Sequence, residues 1–277
     1  QQYPDGVREL ADGGTWNTLA GQPTDDSEMA LALARSLVRQ GRYDAQVVRA
    51  AYVDWLHSDP FDVGNTVSAG LSGHPNTQSQ ANGALMRISP LGIFCAGREL
   101  DQALAWTKDD AVLTHPHPIC VQANQLFAAA IAHAIRTGGP PADLYGYIVE
   151  MAATMPLATA LSDAVRGAAS APPADYARQQ GWVLIAFQNA LWQLLHAPSL
   201  EAGVIDTVMR GGDTDTNAAI AGALLGAVHG REAIPSQWAE RVLNCRPKAG
   251  NPGVYRPRPE RFWPVDALEL AAHLLRG

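Results

Sequence analysis

Two short runs of oxygen-bearing side chains carry the clearest chemical signal in this sequence. Thr24-Asp25-Asp26 is the first. Asp213-Thr214-Asp215-Thr216, directly after Gly211-Gly212, is the second. Adjacent acids repel one another. A hard divalent cation between them removes the repulsion, because Mg²⁺, Mn²⁺ and Ca²⁺ take oxygen ligands. Thr24, Asp25, Asp26, Asp213, Asp215 and Thr216 are therefore candidate metal ligands. Two ions sharing bridging carboxylates could orient substrate hydroxyls and lower the pKa of a bound water. The plainer alternative is helix capping, since Thr and Asp are ordinary N-cap residues that satisfy free N–H groups at the positive helix end. One cap uses one side chain, and the second run offers four polar residues. The two runs together favour a metal site. A calcium loop of the EF-hand type is excluded. Asp213, Asp215 and Asn217 fit its first, third and fifth positions, but Ala218 stands where Gly is needed and Leu224 where a bidentate Glu is needed.

Other polar signals are weaker. Gly211-Gly212 would let the backbone approach a ligand closely. Asn82-Gly83 by itself is a turn signal. His115 and His117 alternate with Pro116 and Pro118, which extend the segment and point the rings apart. A solvent-facing or substrate-contacting His is the expectation there, rather than a chelating pair. His133, His196, His229 and His273 carry no assigned role. No dinucleotide fingerprint, phosphate loop or nucleophile elbow is present.

The elements that must position these residues read as helices. Between Ser27 and Gln40, Met29, Leu33 and Leu37 fall four apart and make one apolar face, and Gly41 ends it. Further helices are expected at 44–57, 118–137, 143–154, 176–196, 199–210, 216–229 and 264–276. Residues 63–94, rich in Gly, Ser, Asn and Pro, read as loops around short helices. Helix 216–229 is apolar nearly all round and belongs in the middle of a domain. Its Gly222, Gly226 and Gly230 make a bare strip that predicts close approach by a neighbouring helix. No alternating run supports a strand. The Ala168–Ala174 stretch reads as a loop rather than a linker. The expectation is a single all-α domain over residues 1–277.

The 277 residues, 47% hydrophobic and 17% charged, suffice for a sizeable core. A net charge of −7 without a basic block argues against nucleic-acid partners. Cys95, Cys120 and Cys245 show no pairing or metal spacing, which fits a reducing, cytoplasmic compartment. No uninterrupted apolar run is long enough to span a bilayer, so no membrane partner is expected. The chain does not begin with Met, and Gln1 opens no signal-like segment.

Several segments carry a family resemblance: GQPTDDSEMALALA (21–34), NGALMRISPLG (82–92), LTHPHPICVQAN (113–124), GGDTDTNAAIAGALLGAVHG (211–230) and RPERFWPVDALELA (258–271). In this order they resemble the ADP-ribosylglycohydrolase family, which includes hydrolases of ADP-ribosyl-arginine and ADP-ribosyl-serine. The resemblance implies an all-α fold with a binuclear Mg²⁺ or Mn²⁺ centre in a central cleft, held by the six residues named above. It implies a loop around the diphosphate and distal ribose at Ser79, Asn82 and Gly83, with Ala81 where the family often has Gly. It also implies cleft contacts at Thr114 and His115, with Gly212 nearby. Family members usually begin with a Gly-Asp-Ala-Leu-Gly-like helix followed by a catalytic acid. This chain opens at Gln1-Gln2-Tyr3-Pro4, downstream of both, so Asp25 or Asp26 is the candidate to position the water. The implied activity is release of ADP-ribose from a modified acceptor. The alternatives are a silent ADP-ribose-binding or structural protein on the same scaffold, and a metallohydrolase acting on another nucleotide sugar.

Overall fold

A computed structural model describes residues 6–276. The opening Gln1-Gln2-Tyr3-Pro4, on which the reading of the N-terminus turned, lies outside the described residues. Among those residues there are thirteen α-helices and no strand, as the all-α reading expects. Helix α1 is Asp25–Gln40 and α2 is Ala45–Leu56. The Gly- and Ser-rich stretch holds the short helices α3 (Asn65–Leu71) and α4 (Ser89–Phe94). Then come α5 (Leu100–Ala111), α6 (Pro118–Thr137), α7 (Pro141–Thr154), α8 (Thr159–Gly167), α9 (Val183–His196), α10 (Leu200–Met209), α11 (Thr214–His229), α12 (Ser236–Leu243) and α13 (Ala267–Leu274).

Helix α6 lies at the centre. Pro118 starts it at a position where a missing N–H costs nothing, and His117 caps it by accepting from the Ile119 N–H. Gly138 ends it in a left-handed conformation, with φ 63°. Its Leu126, Phe127 and Ile131 are buried, and it packs against α4, α5, α7, α9 and α11. Contrary to expectation, this 20-residue helix is long and apolar enough to cross a bilayer, and most of it is buried inside the protein. Core packing accounts for its composition.

Helix α11 packs on α9 and α10 and touches α6 and α1, so it is central as expected. The glycine strip does not act as expected. A methyl group at Gly222 would meet Val204 at 3.5 Å and one at Gly226 would meet Leu200 at 3.9 Å, both ordinary contacts. Gly230 has nothing within 4 Å. The tight glycine of this interface is Gly203, on the facing helix α10. A Cβ there would stand 2.6 Å from Leu225 Cδ1 and 3.1 Å from Ala197 Cβ.

Two further differences have physical causes. The helix expected over 176–196 begins only at Val183. Before it, Ala81 and Trp182 form an isolated antiparallel bridge, in which Val183 N–H bonds Gln80 O at 2.9 Å and Asn82 N–H bonds Gly181 O at 3.0 Å. This tertiary pairing removes residues 181–182 from the helix. Helices α5, α8 and α12 were not expected. The buried face of α5 includes Thr107 and Asp110, so its apolar stripe is interrupted.

Gly203→Ala is expected to lose about 1–3 kcal/mol by overpacking. Gly222→Ala is expected to gain up to about 1 kcal/mol through helix propensity. Urea unfolding of both variants checks this. Shifts of the same sign would remove the claim that Gly203, rather than the strip on α11, holds the close contact.

Candidate active site

The two acidic runs lie at the N-termini of α1 and α11, and neither caps its helix with a side chain. Thr24 is the N-cap residue of α1, yet its hydroxyl donates to Asp26 Oδ2 at 2.9 Å. Asp213 is the N-cap residue of α11, yet its Oδ2 accepts from Asn82 Nδ2 at 2.7 Å. Side-chain caps do form at α2, α6 and α10. Asp44 accepts from the N–H groups of Gln46 and Val47, and Ser199 accepts from that of Ala202. The capping alternative therefore fails at both runs.

The first turn of α1 is fixed from below. Glu28 is buried and accepts from Arg258 Nε at 2.8 Å and Nη2 at 2.8 Å. Trp55 Nε1 donates to the same carboxylate at 2.7 Å. Arg258 also donates to Ser58 O at 2.8 Å and Ser58 Oγ at 2.7 Å. This fully bonded ion pair ties α1 to α2 and to the C-terminal segment, one turn below Asp25.

The sequence places the remaining candidates unevenly. Asn82 and Gly83 line the same cavity as the acids, as do His115 and Gly212. Ser79 does not line it. Its hydroxyl pairs with Thr66 Oγ1 at 2.7 Å, and Thr66 lines the wall instead. Gly212, at φ 74°, is required by the protein itself, because a side chain there would overlap the Tyr176 carbonyl oxygen. His115 is buried rather than solvent-facing, and it lies beside Gly83. His117 is spent on capping α6, so the two imidazoles have separate tasks.

The cavity measures about 970 Å³. Thr24, Asp25, Asp213, Asp215 and Thr216 line it, and Asp26 lies buried behind them. Among the lining residues that escaped the sequence reading, two stand out chemically. Asp62 enters from the loop before α3, and Trp16 enters from the turn closed by the Gly13–Thr18 bridge. Trp16 Nε1 donates to Asp62 Oδ2 at 2.8 Å. The only sequence hint was an acid in a Gly-containing loop ahead of a short helix, Phe61-Asp62-Val63-Gly64. No Lys or Arg lines this cavity among the described residues.

Burial and mutual repulsion push these carboxyl groups up. Asp25 is raised first by burial, then by Asp26, Asp62 and Asp215. Asp26 is raised by burial and then by Asp215, with the Thr24 hydrogen bond opposing. Burial raises Asp213 against the bonds from Asn82 and Thr216. Burial also raises Asp62, with the Trp16 bond opposing and Asp215 adding to the rise. The acids thus feel one another across the cleft. Even so, among the described residues no group of three or more His, Cys, Asp or Glu side chains stands ready-arranged to hold an ion. The donor chemistry nevertheless fits a hard cation. It is oxygen only, no basic side chain competes, and Asp26 Oδ1 is buried without a partner. Both amide atoms of Asn217, one turn into α11, are also buried and unpartnered.

These features agree with what the chain is similar to. The family model described as ADP-ribosylglycohydrolase matches residues 1–265. An ADP-ribosyl-[dinitrogen reductase] glycohydrolase of Rhodospirillum rubrum is 32% identical over 252 residues, covering 87% of this chain and 80% of that protein. An ADP-ribosylarginine hydrolase of Pseudomonas putida (strain GB-1) is 27% identical over 255 residues, covering 85% of this chain and 66% of its own. A solved structure described as an ADP-ribosylglycohydrolase-related protein complex superposes with a TM-score of 0.79 at 26% identity, covering 98% of this chain and 87% of that one. The chain belongs to the ADP-ribosylglycohydrolase family, hydrolases that act on glycosidic bonds.

Proposed function

We propose that this protein cleaves the bond between the distal ribose of ADP-ribose and an acceptor side chain, arginine or serine, with two divalent cations, Mg²⁺ or Mn²⁺, held by Thr24, Asp25, Asp26, Asp213, Asp215 and Thr216. The observation that carries this reading is the meeting of both acidic runs on one cavity wall without a basic residue to neutralise them. Bound cations would neutralise the acids, orient ribose hydroxyls and supply a water-derived nucleophile near neutral pH.

The protein's own groups have separable tasks. Asn82 donates to Asp213 and so joins the loop at 82–83 to the start of α11. Its main-chain N–H is committed to Gly181 O, so it does not hold the diphosphate. The Gly83 N–H takes no main-chain partner among the described residues and is the group for that role. Asp62 belongs to neither acidic run, and Trp16 fixes one of its oxygens. It replaces Asp25 and Asp26 as the residue that accepts a proton from the attacking water. The carboxylates around it face the positive character that develops on the ribose as the bond breaks. Trp16 lies beside it at the wall and restricts the water that can enter.

Three substitutions separate these roles. Asp213→Ala and Asp26→Asn are expected to abolish cation uptake, read by calorimetry, together with release of ADP-ribose from modified arginine or serine peptides. The far-UV circular dichroism should not change. Unchanged turnover in both variants would refute the ligand assignment. Asp62→Asn is expected to lower kcat about 100-fold or more and leave cation affinity within a few-fold. Loss of cation binding in that variant would make Asp62 a ligand instead of the proton acceptor. Running the peptide assay with and without Mg²⁺ or Mn²⁺ tests metal dependence and acceptor choice together.

A further inference from the structure

Beneath the cleft lies a polar cluster that the reaction does not use directly. Arg87 has no exposed surface, and neither does Asp110. Arg87 Nε donates to Asp110 Oδ1 at 3.1 Å and Nη2 donates to Asp110 O at 3.0 Å. Nη1 donates to Gly83 O at 3.2 Å and to Thr114 Oγ1 at 2.8 Å. Tyr52 donates to Asp110 Oδ2 at 3.0 Å, and its ring lies 4.6 Å under the guanidinium. A buried ion pair adds little net stability over apolar residues of the same size. Its informative property here is geometry. One guanidinium holds both the carbonyl of Gly83 and the hydroxyl of Thr114.

The Thr114 hydroxyl then determines where the His115 proton sits. Thr114 Oγ1 lies 2.7 Å from His115 Nδ1. That oxygen already accepts from Arg87, which can only donate. Its single hydrogen must go somewhere, and the site is buried. Donation to Nδ1 satisfies both the hydroxyl and Nδ1. The reverse arrangement, with Nδ1–H donating to Thr114, would leave the hydroxyl hydrogen without an acceptor. Nδ1 is therefore the acceptor, and Nε2 carries the proton. Nε2 is buried, has no protein partner, and stands on the Gly83 side of a ring that lines the cavity.

We propose that Arg87 is a positioning residue that acts through Thr114 to fix His115 as the neutral Nε2–H tautomer, a permanent hydrogen-bond donor to an oxygen of the ligand in the cleft. Burial and the neighbouring Arg87 cation push the ring's pKa down to about 3, consistent with a donor that never becomes a cation. His115 is thus a binding group for an anionic or hydroxyl oxygen beside Gly83, and it is not a general base. The same guanidinium sets the position of the Gly83 carbonyl, so the loop and the imidazole are placed relative to each other by one side chain. The tautomer follows from the internal bonding alone; only the identity of the oxygen, a phosphate or ribose oxygen of ADP-ribose, rests on the function proposed above.

The test is a long-range ¹H–¹⁵N spectrum of the full chain, which reports which imidazole nitrogen of His115 bears the proton. It is paired with calorimetry using ADP-ribose as the probe. The wild-type ring should show a protonated Nε2 and a bare Nδ1. Thr114→Val keeps the shape and removes the hydroxyl. It should mix or switch the tautomers and weaken ADP-ribose about tenfold, the size of one lost hydrogen bond to ligand. Thr114→Ser should restore both. Arg87→Met should act like Thr114→Val, and if that variant fails to fold, the threonine pair still decides. A protonated Nδ1 in the wild type, or an unchanged tautomer in Thr114→Val, overturns the proposal. The expected tautomers in all variants, with no ADP-ribose bound by any, would uphold the relay and sink the ADP-ribose reading instead.

Discussion

Repulsion among carboxylates crowded into one cleft is the constraint on which the rest of this structure depends. Two unit charges about 4 Å apart repel by about 4 kcal/mol at the dielectric typical of a protein surface. A helix cap stabilises by only about 1 kcal/mol. Capping could not justify this concentration of acids even if it occurred, and Thr24 and Asp213 do not cap. The unpartnered Asp26 Oδ1 and the raised carboxyl groups are two views of the same unresolved charge. A chain that folds around such charge must hold it in place by other means.

It does so with two buried ion pairs placed under the walls. Glu28 and Arg258 pin the first turn of α1 to α2 and to the C-terminal segment. Arg87 and Asp110 pin the loop at Asn82-Gly83 and the Thr114-His115 segment. Each arginine is almost completely bonded, so neither leaves a buried donor to destabilise the fold. The acidic face of the cleft thus lies over buried basic groups that do not line it. The basic groups serve architecture, and the acids face the cavity.

How much of this could be read in the sequence depended on range. The 3.6-residue pattern located α1, α2, α6, α7, α10 and α11 because their buried stripes are apolar. It missed α5, where Thr107, whose hydroxyl donates to Ala103 O, and Asp110, which holds Arg87, interrupt the stripe. It extended α9 too far, because the pairing of Ala81 with Trp182 is a contact across about one hundred residues that no local pattern records. The acidic runs were legible because adjacent acids at helix starts are chemically odd. Asp62 was not, since a lone acid in a loop is ordinary until Trp16 and Asp25 are brought beside it. The close helix contact at α10–α11 was assigned to the wrong partner. Three spaced glycines look like a groove, but Leu225 presses on the single Gly203.

A cleft wall that carries no lysine or arginine among the described residues also bears on the order of binding. A ligand bearing a diphosphate approaches a field of its own sign for as long as Asp25, Asp62, Asp213 and Asp215 remain uncompensated. On the function proposed above, counter-charge would enter before the diphosphate settles, and the diphosphate would leave before that counter-charge is released. A basic wall would have let either component come first. On the function proposed above, an acidic one would make occupancy sequential, with the inorganic component a gatekeeper for the organic one.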